Sequence, residues 1–170
     1  MNSSLLTKIY FPRVLLPLAA VTVPAVDFLL ACTVLGGLMG WYGLSVGINA
    51  LLAPLFMILA AATALGVGLV FSVINVRYRD VPYAIPFVIQ IWLFLSPVIY
   101  PIKALHHSWE RLILSLNPMS GVITGFRWSL LGTPPPSALQ LLLSIVAACA
   151  FLTFGLAVFR RAEPRFADTI

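Results

Sequence analysis

Three long stretches without a charged side chain constrain this chain more than any other feature of its sequence. Residues 28–76, 81–102 and 128–159 contain no Asp, Glu, Lys or Arg. A helix needs about 20 apolar residues to cross a bilayer, and each stretch is long enough for at least one crossing. With 9% charged residues, the chain also has too little charge for a water-soluble surface, because soluble domains carry roughly 25%. The sequence therefore predicts an all-α integral membrane protein and argues against a soluble enzyme or a nucleic-acid-binding domain.

The charge-free stretches divide into four predicted transmembrane helices within one membrane domain, residues 1–170. The helices are expected at about residues 14–37, 50–76, 81–100 and 138–159. Glycines and an aromatic pair between Gly40 and Gly47 predict a tight interfacial turn between the first two helices. Ala and Gly are dense between residues 60 and 68, which predicts that the second helix packs closely against a neighbour.

Residues 101–136 form the least regular part of the sequence. Their apolar runs are too short to cross a bilayer and are broken by Pro and Gly, with Asn117-Pro118 in the middle. Broken backbone is tolerated at membrane depth where protein buries it, so the pattern favours two short helices that enter the membrane and return. The alternative is an external loop whose amphipathic helices lie on the membrane surface.

The distribution of basic residues predicts the orientation. Four helices place both termini on one side, together with Lys8, Arg13, Arg77, Arg79, Arg160, Arg161 and Arg165. The opposite side holds Lys103, Arg111 and Arg127, and we expect Gly43 there as well. Because Lys and Arg accumulate on the cytoplasmic side of membrane proteins, the termini and the turn at Arg77 are predicted to be cytoplasmic.

Asp27 interrupts the first predicted helix with a carboxylate. Such a group deep in lipid costs about 2.5–3.5 kcal/mol on insertion scales, so Asp27 should face protein or a membrane interface. Its helical neighbours Val23, Pro24, Leu30 and Ala31 carry no side-chain hydrogen-bond donor. A partner therefore has to come from another helix, and we expect a structural polar contact rather than a contact with substrate.

The sequence contains no residue pattern for catalysis or for metal or nucleotide binding. His106 and His107 lack an accompanying Cys cluster or close carboxylate pair and are expected to lie solvated in a loop. No Walker-type phosphate-binding loop is present. We therefore expect a chain without catalytic residues, metal or cofactor that does not itself hydrolyse a nucleotide.

Two groups of segments resemble the signatures of a transporter family. The first is Phe71-Ser-Val-Ile-Asn-Val-Arg-Tyr-Arg-Asp80, continuing through Gln90-Ile-Trp-Leu-Phe-Leu-Ser-Pro-Val-Ile-Tyr-Pro101. The second is Leu116-Asn-Pro-Met-Ser-Gly121, followed by Gly125-Phe-Arg-Trp128. They resemble ABC-2 type permeases, in particular those that export polysaccharides such as O-antigen, capsule and teichoic acid. Residues 7–19 and 159–168 are similar as well, so the resemblance covers nearly the whole chain.

The resemblance implies a multi-pass subunit in the inner (cytoplasmic) membrane that exports a polysaccharide or lipid-linked glycan. Two permease subunits and two separate ATPase subunits would form the transporter, so this chain would not be an enzyme. An ABC-2 permease for drug or lipid efflux is one alternative. A truncated membrane remnant without a transport role is another.

The resemblance also implies a cytoplasmic coupling segment at residues 1–13 that docks on the ATPase. The residues assigned to it are Lys8, Tyr10, Phe11, Pro12 and Arg13. Without the resemblance, interfacial anchoring by the two basic residues is the simpler interpretation. Family members carry two helices before this segment, so the chain is expected to be N-terminally short and to match the third to sixth helices. A fragment, a misassigned start and a truncated gene remain compatible with that expectation.

Arg77, Arg79 and Asp80 form a charged cluster between the second and third predicted helices. Two guanidinium groups beside a carboxylate are suited to an ion-paired cytoplasmic gate, or to contact with a lipid-linked pyrophosphate, because arginine binds phosphate in a bidentate manner. A basic turn that only fixes the topology is an equally open interpretation.

Four residues of the third predicted helix suggest a path for a glycan. Tyr83, Phe87, Gln90 and Phe94 are spaced by four, three and four residues, so they share one helical face. An amide among aromatic rings is costly against lipid and useful in a wet path, where sugars offer both hydroxyl edges and apolar faces. The alternative is packing against a neighbouring helix, with the amide bonded across the interface. Tyr100 and Arg127 are included in this candidate path.

Overall fold

The computed structural model describes residues 15–44, 47–78, 80–98 and 114–166, and every regular element in these ranges is helical. The elements are α1 (Leu15–Trp41), a 3₁₀ helix (Ile48–Leu52), α2 (Ala53–Arg77), α3 (Val81–Leu95), α4 (Pro118–Leu131) and α5 (Ala138–Phe166). Within the described ranges, Pro17–Trp41, Ile48–Arg77 and Ala138–Glu163 are long and apolar enough to cross a membrane, and Val81–Leu95 is a shorter apolar helix. The predicted all-α membrane class is confirmed.

Three helix boundaries differ from the predicted ones. α1 continues past residue 37 to Trp41, because a membrane helix tolerates glycine where the backbone has no other hydrogen-bond partner. α3 ends at Leu95 instead of residue 100, because Pro97 favours an extended Ser96 (φ −106°, ψ 139°). α5 continues past residue 159 into the charged segment, which can remain helical in water after the apolar part ends.

A glycine turn ends α1 where the glycine-rich segment predicted one. Gly43 has a positive φ of 68°. Its N–H donates to the carbonyl of Gly40 (3.2 Å), and the N–H of Leu44 donates to the carbonyl of Met39 (2.9 Å). These two bonds form the Schellman motif that closes a helix C-terminus. Trp41 and Tyr42 are strongly exposed at this turn, a position that suits aromatic side chains at a membrane interface.

α2 and α5 lie side by side at the centre of the bundle and run in the same direction. The backbone of Gly66 lies directly against Phe151 and Gly155 of α5. Nearer the start of α2, the ring of Phe56 packs on Gly125 of α4. The helix α4 also contacts the first turns of α5. The predicted close packing of the second helix is therefore confirmed, with α5 as its partner.

The contacts between the helices define two ends of the bundle. The upper end holds the starts of α2 and α5, the ends of α1 and α3, and the whole of α4. The lower end holds the start of α1, the end of α2 at Arg77 and the start of α3 at Val81. α4 is the most thoroughly covered element, because Ser120, Gly121 and Gly125 are all buried against its neighbours.

Candidate functional site

An open apolar groove lies between α1 on one side and α2, α3 and α4 on the other. Its larger part has a volume of about 770 Å³, and an adjoining part of about 420 Å³ extends it toward Arg127. Thr63 and Ser72 line it, but their hydroxyls donate to carbonyls of their own helix, at 2.9 and 2.7 Å. Ser96 Oγ accepts from Asn117 Nδ2, and the Asn75 amide is exposed at the lower end. The groove therefore presents a mostly apolar surface, suited to hydrocarbon or apolar side chains more than to sugar hydroxyls.

The four residues of the candidate glycan path lie on the other side of α3. Ile85, Val88 and Trp92 turn toward the groove, and the remaining face of the helix is exposed. On that face Tyr83 is 86%, Phe87 67% and Phe94 59% exposed, and Gln90 is exposed as well. We define these four residues, Tyr83, Phe87, Gln90 and Phe94, as the aromatic face. The structure brings these four residues together on one exposed face of α3.

Asn117 holds the end of α3 to the start of α4. Its Oδ1 accepts from the Met119 N–H (3.0 Å) and from Trp92 Nε1 (3.3 Å). Its Nδ2 donates to the Leu95 carbonyl (3.0 Å) and to Ser96 Oγ (2.9 Å). An Asn side chain has two acceptor lone pairs and two donors, so all four are used here. The bond to Met119 caps the N-terminus of α4, and the other three join it to α3.

Arg127 lies at this same junction of α3 and α4. Its Nη2 donates to the carbonyl of Val98 at 2.6 Å, and both residues line the smaller part of the groove. The structure thus places Arg127 on the groove side of the bundle, apart from the aromatic face with which the sequence analysis grouped it.

A buried polar cluster joins α4 to α5. Ser144 Oγ accepts from the Gly121 N–H (3.0 Å). Gln140 Nε2 donates to the Ser120 carbonyl (3.3 Å) and to Thr124 Oγ1 (3.1 Å). These bonds fix which residues of α4 lie opposite which residues of α5, because polar groups in an apolar bundle are costly to leave unpaired.

The sequence analysis assigned no role to Asn117, Gln140 or Ser144. Two signals point to them. Asn directly before Pro is a typical helix N-cap, since Pro fits the first helical position. Gln140 and Ser144 are polar residues one turn apart in an otherwise apolar helix, which indicates a shared polar contact.

The turn at the lower end contains part of the predicted charged cluster. The Arg77 guanidinium lies over the Tyr78 ring, 5.7 Å from its centroid. Arg77 and Asp80 are both exposed, and the described residues contain no ion pair between them. Several predicted residues lie outside the described ranges: Lys8, Tyr10, Phe11, Pro12, Arg13, Arg79 and Tyr100.

A bundle of this kind, apolar on most of its outside and with three helices long enough to span a bilayer, defines a multi-pass membrane protein. The sequence profile of the family described as ABC-2 type transporter matches residues 6–131. Since this is more than half of the chain, the chain belongs to the ABC-2 type transporter family.

Relatives of this chain have a more specific description. It is 26% identical over 167 residues to the O-antigen export system permease protein RfbA of Myxococcus xanthus, a match that covers 98% of this chain and 64% of the relative. It is 23% identical over 171 residues to the protein of the same name from Klebsiella pneumoniae, covering 99% of this chain and 65% of the relative. The chain thus spans slightly less than two thirds of the length of these permeases.

Proposed function

We propose that this chain is part of the permease subunit of an ATP-binding-cassette exporter that moves a polysaccharide or lipid-linked glycan outward across the inner (cytoplasmic) membrane. The observation that carries the proposal is the match to O-antigen export permeases over 98% of the chain. The exposed aromatic face of α3 supports it, because aromatic rings and an amide are the groups that contact sugars. In this proposal the chain is a transport subunit, and a separate ATPase supplies the energy.

The groove favours a second candidate function. Its volume of about 770 Å³ and its apolar lining fall within the range of small-molecule pockets, roughly 300–1,000 Å³. A permease for apolar drugs or lipids is therefore the competing proposal. The two differ in which side of α3 faces the substrate: the aromatic face for a glycan, or the groove for an apolar compound. A truncated remnant without transport would use neither.

We further propose four membrane crossings, by α1, α2, α3 and α5, with α4 as the returning half of a re-entrant segment. α3 has 15 residues and α4 has 14, so both are shorter than a bilayer core of about 30 Å and length does not separate them. α3 begins at the lower end of the bundle, whereas α4 begins inside it. The first turn of α4 is bound to Ser144, which lies about 9 Å along α5 from Ala138. The last residues of α4 lie near the start of α5, at the upper end of the bundle. These contacts favour a helix that rises from within the bundle over one that lies on the membrane surface.

The proposed topology predicts a labelling pattern. Tyr42 and Tyr78 are exposed aromatic residues at opposite ends of the bundle, and the positive φ of Gly43 makes that neighbour unsuitable for a side chain. In a background with Cys32 and Cys149 replaced by serine, Tyr42→Cys is expected to react with an impermeant thiol reagent in intact cells. Tyr78→Cys should react only after permeabilisation. The reverse pattern would invert the topology.

The proposed partners are a second permease subunit and two ATPase subunits. Residues 1–13, with the coupling residues named above, are proposed to contact the ATPase from the cytoplasmic side. Arg77, Arg79 and Asp80 are proposed to act at the inner mouth, as a gate or as a contact for a lipid-linked pyrophosphate. The exposure of Arg77 and Asp80 supports this role, because both groups are available to bind.

The aromatic face provides the test of the proposed function. Phe87→Leu and Gln90→Leu remove a ring and an amide from exposed positions, so the fold should be unaffected. If each removes one weak contact with the polymer, of about 1 kcal/mol, export should slow about fivefold in the full transporter. Assembly and ATP hydrolysis should be unchanged. Export is measured as glycan reaching the cell surface, and assembly as co-purification with the ATPase.

Ile89→Leu is the matched control, since Ile89 lies on α3 but lines the groove. It should leave glycan export unchanged. Loss of the assembled complex in step with export, in the Phe87 and Gln90 variants, would identify the aromatic face as a packing surface. A larger effect of Ile89→Leu than of either variant would favour the groove and an apolar substrate.

A further inference from the structure

Asp27 is an acidic side chain at the middle of α1, a helix long and apolar enough to cross a membrane. It lies about halfway along α1, between Leu15 and Trp41. Its side chain is exposed, and within the described ranges no hydrogen bond or ion pair reaches it. Only hydrocarbon would surround it if this face of α1 met lipid. A carboxylate at this depth normally faces a protein interface or a water-filled cavity.

The contacts of α1 show which way Asp27 points. The Phe28 ring meets the Phe126 ring edge-on, with centroids 5.1 Å apart, and this contact holds one side of α1 toward α4. Val21, Pro24 and Phe28 line the groove. Asp27 is one turn beyond Pro24, so it lies on the flank of α1 that borders the groove. Asp27 therefore lies next to the groove but is not among the residues that line it.

The same flank is shaped to receive another helix. Ala20, Pro24 and Ala31 lie above and below Asp27 at spacings of four, three and four residues, and all are exposed. Small side chains of this kind let a second membrane helix approach closely. The adjoining groove is apolar and open, and within the described part of the chain nothing packs between α1 and α3 there. An occupant must be apolar over most of its length and must also satisfy one carboxylate.

We propose that a transmembrane helix of the permease from outside residues 1–170 packs along this flank and over the groove, and donates a hydrogen bond to Asp27 from a side chain at mid-depth. Arg, Lys, Asn, Gln, Ser or Thr can supply the donor. About a third of each relative's length lies outside the matched stretch, which is enough for such a helix. A second copy of this chain fits less well, because two carboxylates would meet if the same flanks faced each other.

Photocrosslinking in the native membrane tests the proposal without relying on export. A photoreactive amino acid at Ala31, one turn after Asp27, is expected to crosslink to a transmembrane peptide of the permease from outside residues 1–170. Leu29 is exposed on the opposite side of α1 and serves as the control position, which should not give this product. Mass spectrometry of the crosslinked peptide identifies the helix and its donor.

Substitutions of Asp27 separate pairing from mere proximity. Asp27→Leu removes the acceptor and is expected to lower the Ala31 crosslink at least fivefold, whereas Asp27→Asn retains an acceptor and should preserve most of it. An unchanged crosslink in Asp27→Leu, or a product only with lipid or with a second copy of this chain, would overturn the proposal. So would reaction of Asp27→Cys with an impermeant thiol reagent, since that places the flank in water. The substrate of the transporter affects none of these readouts.

Discussion

Replacing Gly66 with alanine is expected to destabilise the α2–α5 packing by about 3 kcal/mol, the upper end of the cost of overpacking a well-filled core. A Cβ at Gly66 would lie 2.5 Å from the carbonyl carbon and oxygen of Phe151 and 2.6 Å from the backbone nitrogen of Leu152. These are backbone atoms of a regular helix, and they cannot move aside as a side chain can. The two helices would have to separate.

Gly155→Ala should act in the same way, because its Cβ would meet the carbonyl of Gly66 from the opposite direction. Combining both alanines should cost less than the sum of the single effects, since either one already separates the helices. Non-additivity would confirm that the two glycines serve one contact. The measurement is thermal stability of the detergent-solubilised permease, followed by size-exclusion chromatography after heating.

Other glycines of the bundle provide graded controls. Gly68 is two residues from Gly66 on the same helix, and a Cβ there would meet nothing within 4 Å. Gly68→Ala should be neutral, or stabilising by up to about 1 kcal/mol from helix propensity. The destabilisation by Gly125→Ala should lie between those of Gly68→Ala and Gly66→Ala, because the new Cβ would meet the Phe56 ring, and a side chain can move aside. Equal stability of the Gly66, Gly125 and Gly68 variants would contradict the close approach of α2 and α5.

The α2–α5 contact was only partly predictable from the sequence. The density of Ala and Gly at residues 60–68 predicts close packing, because small residues in membrane helices mark contact faces. It does not identify Gly155 as the partner. Both helices are apolar all round, and in such a helix hydrophobic periodicity no longer distinguishes a buried face from one that meets lipid.

The candidate site was predictable to a similar, limited degree. The spacing of Tyr83, Phe87, Gln90 and Phe94 follows from helix geometry alone, so their common face could be read directly from the sequence. Whatever covers that face is not encoded in those four residues. Arg127 was included in the same candidate path. Its bond to Val98 depends on how α4 folds back on the end of α3, a long-range arrangement that no local pattern encodes.

Asn117 illustrates the same limit at a single residue. The sequence marks Asn117-Pro118 as a break in an apolar run, and a helix N-cap is the local consequence. The remaining bonds run to Trp92, Leu95 and Ser96, more than 20 residues earlier. Their existence depends on the early end of α3, which Pro97 causes and which leaves the Leu95 carbonyl without a helical partner.

Asn117→Ala is therefore expected to destabilise the permease by about 3 kcal/mol, combining the loss of a helix cap, about 1 kcal/mol, with the loss of three hydrogen bonds to α3. The Leu95 carbonyl and the Trp92 indole N–H lose their partner, and in the proposed topology they lie at membrane depth, where water does not readily replace it. Asn75→Ala is the matched control. Asn75 is exposed and has no hydrogen bond within the described ranges, so its loss should cost less than about 0.5 kcal/mol.

Asn117→Asp separates the two bonds that Asn117 donates from the two that it accepts. An aspartate retains the acceptors for Met119 and Trp92 but has no donor for the Leu95 carbonyl or Ser96 Oγ. It should therefore retain the start of α4 while loosening the end of α3. Thermal stability should lie between wild type and alanine, and hydrogen exchange should rise at the end of α3 but not at Met119. If the aspartate variant matches wild type in both measurements, the two donated bonds contribute nothing, and the helix cap and the bond from Trp92 account for the junction. If the alanine variant is no less stable than Asn75→Ala, Asn117 does not hold α3 to α4 at all.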